Sequence, residues 1–362
     1  MIYVFAGYVR SPGFSRPTDW IARIAAYLGV LEALARQNKV ISIEQIGYTG
    51  EYLQDGVEYR FMNFGRKELF FPWRLHRAIR KCRPDIVLIH GISFPLQVIQ
   101  LRMQLGGGTR IIVQNHTNGV IRGYRRILQP LADRCIDAYF FSSREMSEPW
   151  IRQGLIRNSK KIHEVMVGSS VLVPQDKEEA RKKNNISGDP VFVWAGRLDE
   201  NKDPETAIRA FLRFARERTH ARMYLIYQSG ELTPEWQALM EKQPGVIVPV
   251  GAVPHAEMAS WLSAADFFVS SSHAEVFGAA LAEAMSCGCI PVVTDIPSFR
   301  KITGAGCGWR YPPGDEEGLY RALLCAMDAD LAEEKKKTLE QFSKHLSFHA
   351  IAESIQEISA SL

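Results

Sequence analysis

Two carboxylates, Glu275 and Glu283, have seven residues between them and bracket Gly278 and Ala279 in the segment SSSHAEVFGAALAEAMSCGCIPVV, residues 270–293. A helix that starts at Gly278 and Ala279 lets backbone N–H groups approach an anion closely, helped by the positive end of the helix dipole. Glu283 lies five residues in, roughly 7–8 Å along the axis at about 1.5 Å per residue. That distance runs from a pyrophosphate to the ribose of the same nucleotide, where a carboxylate accepts two hydroxyl hydrogen bonds. Glu275, before the helix, falls on the other side of the phosphates, near the group they carry, and Gly288 ends the helix as its C-cap. Arg197 and Lys202, after an earlier strand, supply two cations. A diphosphate gains charge as its bond to a sugar breaks, so cations aimed there favour the transition state over the ground state. Charge-assisted bonds of this kind contribute ~1.5–3 kcal/mol each. With such a clamp no metal ion is needed, and none is expected.

These residues need strands behind them. Apolar runs at 1–5, 86–90, 111–114 and 138–142, and again at 191–195, 223–228, 246–250, 267–271 and 290–294, predict strands. They alternate with helical patterns such as 19–37, 204–217, 255–264 and 278–287, which predicts an α/β protein with parallel sheets covered on both faces. The polar stretch Pro174–Pro190 is the best linker candidate, so two doubly wound domains face one another across a cleft in this reading. Open α/β sheets bind ligands beyond the carboxyl ends of their strands. Those positions hold the loop Gly7–Pro17 with Gly13 and Arg16, then His90, His116, the stretch Arg197–Lys202, and Glu275. No G-x-G-x-x-G follows the first strand, so the dinucleotide fingerprint is missing.

At 362 residues, two domains are the natural expectation. Hydrophobic residues make up 46% and charged ones 23%, as in ordinary globular proteins, which excludes a fibrous or disordered main body. The apolar stretch Ile86–Leu101 is broken by His90, Gly91 and Pro95 and is too short to cross a bilayer. Six cysteines form no C-x-x-C pair and no secreted framework, and a reducing cytoplasm is the simplest setting. Residues 1–165 hold 24 basic against 13 acidic side chains, a net +11, and the remainder carries −7. The basic half points to an anionic partner. Charge alone leaves nucleic acid, a membrane surface and a phosphorylated small molecule open.

The motifs WAGRLDENKDP (194–204) and the Glu275–Glu283 pair resemble the GT-B glycosyltransferases, in particular the retaining family often called group 1 or family 4. RPDIVLIH (83–90), the His116 loop, the Pro313-Gly314-Asp315 turn and the terminal FHAIA segment from Phe348 fit the same family. The resemblance implies two Rossmann-like domains, 1–170 for the acceptor and 171–344 for the donor, with the last helix (345–362) crossing back to the first. It implies a nucleotide-activated sugar donor, transfer with retention, no cofactor and no essential metal. Arg197 and Lys202 would hold the pyrophosphate, Glu283 the ribose and Glu275 the sugar hydroxyls. Gly196, Val276, Phe277, Gly278 and Ala279 would line the donor, and His116 would touch its sugar. Gly13, Arg16 and His90 would face the acceptor or phosphates. Three stretches depart from the family pattern: Tyr227-Gln228-Ser229-Gly230, the single Gly13, and Val167-Gly168-Ser169-Ser170.

Competing readings sit beside these. Asp328-Ala329-Asp330 spells a metal-type D-x-D, but its place between helical segments favours a solvated face. Cys287-Gly288-Cys289 lacks further ligands in metal spacing. His255 and His273 read as structural groups. The basic segment Trp73–Arg83 fits an ordinary surface helix or contact with an anionic membrane. The expected activity is therefore sugar transfer from a nucleotide-diphosphate sugar to an acceptor hydroxyl, in polysaccharide, glycolipid or other glycoconjugate synthesis. The acceptor would be a carbohydrate or a lipid-linked one, and the protein cytoplasmic, with peripheral attachment to the membrane left open. The alternatives are a sugar-nucleotide epimerase or hydrolase, and a non-catalytic nucleotide-sugar-binding partner subunit. Nucleic-acid binding is not expected, because no stacking aromatics accompany the basic residues on a recognised module.

Overall fold

Val4, Phe5, Val87, Leu88, Ile111, Ile112, Phe192, Val193 and Val292 are buried, as strands covered by helices on both faces require. The computed structural model describes residues 1–362 apart from the side chains of Arg66 and Lys67. The chain divides into two units, Met1–Ser169 with Phe348–Leu362, and Ser170–Ser347.

Unit 1 contains β1 (Ile2–Gly7), β2 (Lys39–Glu44), β3 (Gly50–Gln54), β4 (Val57–Phe61), β5 (Ile86–His90), β6 (Arg110–Gln114), β7 (Ala138–Phe141) and β8 (Ile162–Glu164). Their order is β3-β4-β2-β1-β5-β6-β7-β8. The sheet is parallel except for the β3–β4 hairpin, whose Asp55-Gly56 turn has positive φ at both residues. Helices α1 (Pro17–Arg23), α2 (Ala25–Ala35), α3 (Trp73–Lys81), α4 (Pro95–Leu105), α5 (Tyr124–Cys135) and α6 (Glu148–Arg152) connect the strands.

The single helix predicted over 19–37 is two. Ile24 leaves helical geometry at φ −99° and ψ 14°, and the Trp20 indole N–H just before it donates to Glu44 at 3.0 Å. Strands β2, β3, β4 and β8, and β14 of the second unit, escape the sequence reading. They are short, half polar or charged, and carry no continuous apolar run.

Unit 2 contains β9 (Val191–Gly196), β10 (Arg222–Tyr227), β11 (Ile247–Gly251), β12 (Phe267–Ser270), β13 (Ile290–Thr294) and β14 (Trp309–Tyr311), in the order β11-β10-β9-β12-β13-β14 and all parallel. Its helices are α7 (Lys177–Lys183), α8 (Pro204–Glu217), α9 (Pro234–Glu241), α10 (His255–Ala264), α11 (Ala279–Ser286), α12 (Pro297–Thr303), α13 (Glu316–Met327) and α14 (Leu331–His345).

The Pro174–Pro190 stretch is not a free linker. Asp176 caps α7 within it by accepting from Glu179 N at 2.9 Å. Lys177 and Arg181 both pair with Asp266, whose carboxylate also takes the Val191 N–H at 2.8 Å. Of the residues Lys182, Lys183, Asn184, Asn185, Gly188 and Asp189 that suggested a linker, Asn184 also fastens the helix, donating to Ser260 Oγ of α10 at 2.7 Å. Asp328 and Asp330 are helix-end residues. Asp330 accepts from Ala332 N and Glu333 N at 2.9 and 3.2 Å to start α14.

The terminal helix α15 (Phe348–Ser361) returns to unit 1 and packs on α2. Gly29 makes this approach possible, because a Cβ there would lie 2.5 Å from the Phe348 ring.

Candidate functional site

In unit 2, β9 is flanked by β10 on one side and β12 on the other, so the strand order reverses between β9 and β12. Ligands of open α/β sheets bind at such a switch point, outside the carboxyl ends of the strands. The loops leaving β9 and β12 carry Arg197–Asp203 and Ser271–Gly278, so topology brings together what the sequence separates by over seventy residues.

The two loops are laced to each other. Ser271 Oγ lies 2.8 Å from the Lys202 carbonyl and 2.6 Å from that of Asp203, and accepts from Trp194 Nε1 at 3.2 Å. Asn201 accepts from His273 N at 2.8 Å through its carbonyl and donates its side-chain amide to Ala274 O at 3.1 Å. Asp199 folds the first loop back by accepting from Lys202 N at 2.9 Å. Within this frame the Lys202 ammonium forms an ion pair with Glu275, and both side chains are mostly buried, at 17% and 16% exposure. Arg197 is further out. It is 61% exposed and its Nε donates to Asp199 at 2.7 Å. Gly196 closes β9 where a Cβ would touch the Trp194 ring at 3.0 Å.

After Glu275, Val276 and Phe277 lead into α11. Gly278 is its N-cap at φ 73°, in the left-handed region, and a Cβ there would lie 2.6 Å from the Phe299 ring. No side chain caps this end of the helix, and its first turn holds no acidic residue. The N–H groups that open an α-helix have no partner inside it. The Gly278–Ala279 start therefore presents donors and a positive dipole end at the switch point. Glu283 lies on the same helix, and its carboxylate meets His255 Nε2 of α10 at 2.8 Å. His255, expected to be structural, is thus a partner of a candidate site residue. Only the fold shows this, because the two are on different helices.

In unit 1 the corresponding reversal lies at β1, between β2 and β5. His90 at the end of β5 and His116 just after β6 converge there. Gln114 Oε1 lies 3.1 Å from His90 Nδ1 and 3.2 Å from His116 Nε2. Burial lowers the imidazole pKa of His90 to about 3, with the neighbouring His116 adding to the effect, and lowers that of His116 to about 4. Both rings are therefore neutral near pH 7.

A cavity of about 220 Å³ opens beside them, lined in part by Trp20, Tyr27, Glu44, Gln45, His90 and His116. Burial raises the Glu44 carboxyl pKa, opposed by hydrogen bonds from Ser42 and Trp20. Gly13 and Arg16 do not line this cavity. Nothing crowds a Cβ at Gly13, and Arg16 pairs with Asp19 of its own helix at 2.8 Å. Trp20, Tyr27 and Glu44 are additions that the sequence did not supply. The missing signal was β2, whose end carries Glu44.

Residues 176–345 match the family described as "Glycosyl transferases group 1". A D-inositol 3-phosphate glycosyltransferase 1 from Catenulispora acidiphila is 27% identical over 190 residues, 48% of this chain and 44% of that protein. A D-inositol 3-phosphate glycosyltransferase from Thermobispora bispora is 30% identical over 172 residues, 44% of this chain and 40% of that one. These alignments span less than half the length of either relative.

Among solved structures, a glycosyltransferase from Rickettsia africae superposes with a TM-score of 0.74 at 14% identity, over 99% of this chain and 98% of the other. Anabaena HepE in complex with UDP and glucose gives 0.70 at 15% identity over the whole of both chains. The fold is the two-domain α/β architecture of these GT-B enzymes.

Proposed function

We propose, for a chain whose second unit carries the group 1 glycosyl transferase match, that it moves a sugar from a nucleotide-diphosphate sugar to an acceptor hydroxyl with retention of configuration. The observation that carries this reading is one constellation at the unit 2 switch point: the Lys202–Glu275 pair beside an uncapped, glycine-started helix, with Glu283 further along it.

The donor's pyrophosphate sits at the Gly278–Ala279 helix start, with Lys202 and Arg197 as its cations and Gly196, Val276 and Phe277 around it. Glu283, steadied by His255, takes the ribose hydroxyls. Glu275 takes hydroxyls of the transferred sugar. His116, a neutral imidazole in unit 1, is the donor-sugar contact that the family resemblance implies. Two solved proteins of this fold hold a nucleotide, UDP with glucose in one and UDP-2-fluoro glucose in the other, which supports a donor of this class.

The bond from the anomeric carbon to the phosphate oxygen breaks, and the acceptor oxygen bonds to the same face of that carbon. The acceptor's proton passes to the departing phosphate, whose growing charge the two cations and the helix start stabilise. The clamp does the work of a divalent metal, so transfer proceeds in the presence of a chelator.

The acceptor side is unit 1. The cavity beside His90 has no Lys or Arg among its described lining residues, and its aromatic and hydroxyl-bearing wall suits an uncharged sugar or polyol ring. The test is transfer from a panel of nucleotide sugars to simple glycosides and polyols in EDTA, with NMR assignment of the product anomer. A product with the donor's configuration is expected. Inversion, or donor consumed at the same rate with no acceptor present, would replace this reading by an inverting transferase or a hydrolase.

A further inference from the structure

The surface of unit 1 carries a group of large apolar side chains that the site above does not use. Phe70, Phe71 and Trp73, at the entrance to α3, are 52%, 55% and 59% exposed. On α5, Tyr124, Ile127 and Leu131 are also exposed, as is Met103 on α4. Single exposed apolar residues need no explanation, but a group of them marks an interaction surface.

The group is held on one layer, because α3 and α5 both pack on α4. At the start of α4, Gln97 Nε2 donates to the Leu69 carbonyl at 2.6 Å, which ties the Phe70–Trp73 segment to this helix. Arg125 lies over the Phe94 ring of the same turn at 5.8 Å, which brings the start of α5 to the same place. At the other end Arg102 Nη2 donates to the Cys135 carbonyl at 2.8 Å. The two segments, far apart in sequence, thus border one helix.

The charge around them is mostly positive, with Glu68 at its edge pairing with Arg74 at 3.7 Å. Residues 69–83 contain Arg74, Arg77, Arg80, Lys81 and Arg83, and residues 116–132 contain Arg122, Arg125 and Arg126. Neither segment has an Asp or Glu. Arg74, Arg77, Arg80, Arg122, Arg125 and Arg126 are exposed. Aromatic side chains among arginines, with no acidic residue between, suit the headgroup region of a bilayer. The rings settle at the acyl boundary there, and the guanidinium groups meet anionic phosphate. Nothing in either segment is long and apolar enough to cross it.

We propose that this face, built from Phe70, Phe71, Trp73, Tyr124 and Ile127 and the arginines among them, docks unit 1 on an anionic lipid surface. The basic segment Trp73–Arg83 alone left an ordinary surface helix equally open. The exposed rings beside it and the second basic segment on α5 decide for the membrane. The inference is independent of the transferase reading, because none of these side chains lies in either candidate site.

The test is co-sedimentation of the full chain with phosphatidylglycerol–phosphatidylcholine vesicles and with phosphatidylcholine vesicles alone, at low and high salt. Binding to the anionic vesicles only, weakened by salt, is expected. A Phe70→Ser/Phe71→Ser/Trp73→Ser variant should lose it, and Arg125→Gln and Arg126→Gln should each lower partitioning about fivefold. Circular dichroism and unfolding midpoint, unchanged in these surface variants, keep misfolding apart from lost docking. Failure to bind either vesicle, equal binding to both, or binding unchanged in the triple aromatic variant would overturn the proposal. So would self-association abolished by that variant in a chain that ignores vesicles, since the face would then be a protein interface.

Discussion

Lys202 and Glu275 hold each other in a mostly buried pair, so removing one leaves the other uncompensated. Lys202→Ala is expected to lower turnover by ~10²–10³, the usual loss for one preorganised donor to developing charge. Adding Glu275→Gln should recover stability without recovering the rate. Steady-state kinetics and thermal unfolding of both variants check this, and a Lys202→Ala protein of normal rate would remove the lysine from the mechanism. The histidines give a second prediction at this scale. Burial holds His90 at about 3 and both His116 and His76 at about 4, against about 6.5 in an unfolded chain. Between those limits the unfolded state binds protons that the folded state refuses, so stability falls as pH drops from about 6.5 toward 4 and is whole above it. Glu44 and Glu32, both raised chiefly by burial, act in the opposite sense, but the three histidines outweigh them, and His163 and His345, also lowered by burial, add to the same side. Unfolding midpoints across that window should therefore slope downward with falling pH. His90→Gln/His116→Gln should flatten the slope, and a flat wild-type profile would contradict it. The candidate residues of unit 2 were legible because Arg197, Lys202, Glu275 and Glu283 sit in compact motifs. Their partners were not, since the bonds of Ser271 to the Lys202 backbone and of His255 to Glu283 cross between elements.

At the scale of elements, the entrance to α11 is the most constrained feature of unit 2. Gly278 adopts φ 73°, where a non-glycine residue costs ~1–2 kcal/mol, and its missing Cβ makes room for Phe299. Gly278→Val is expected to destabilise the protein by ~2–4 kcal/mol once overpacking is added and to weaken nucleotide binding at the same time. Chemical denaturation and calorimetric titration of one preparation measure both, and an unaltered affinity would mean the helix start is not the anion site. Helix α11 was readable from Gly278, Gly288 and the apolar run between them. The division of the 19–37 pattern at Ile24 was not, because apolar periodicity continues through it while the Trp20–Glu44 bond fixes the first half separately. The α7 segment misled for a related reason. A run rich in Lys, Asn and Asp reads as solvated until Asp266, 85 residues from Arg181, supplies its counter-charge.

For the whole molecule, the terminal helix joins the two ends of the chain within unit 1. Ile351 and Ile355 are buried there at 2% and 1% exposure, and burying two such side chains stabilises by ~3–6 kcal/mol. A chain ending at Ser347 should therefore unfold in two steps, with unit 1 first. A single transition at the wild-type midpoint would show that α15 adds little. Strand–helix alternation was enough to read a two-unit α/β plan, because buried parallel strands are continuous apolar runs. It could not give strand order, and strand order is what creates the switch points on which both candidate sites lie. If unit 2 is a nucleoside-diphosphate site, isothermal titration of the full chain with UDP, GDP and ADP in EDTA will show it. One nucleotide series should bind without metal, with an affinity lowered at least tenfold in Lys202→Ala. Binding of none of the three by the folded protein, or equal binding by wild type and Lys202→Ala, would contradict it.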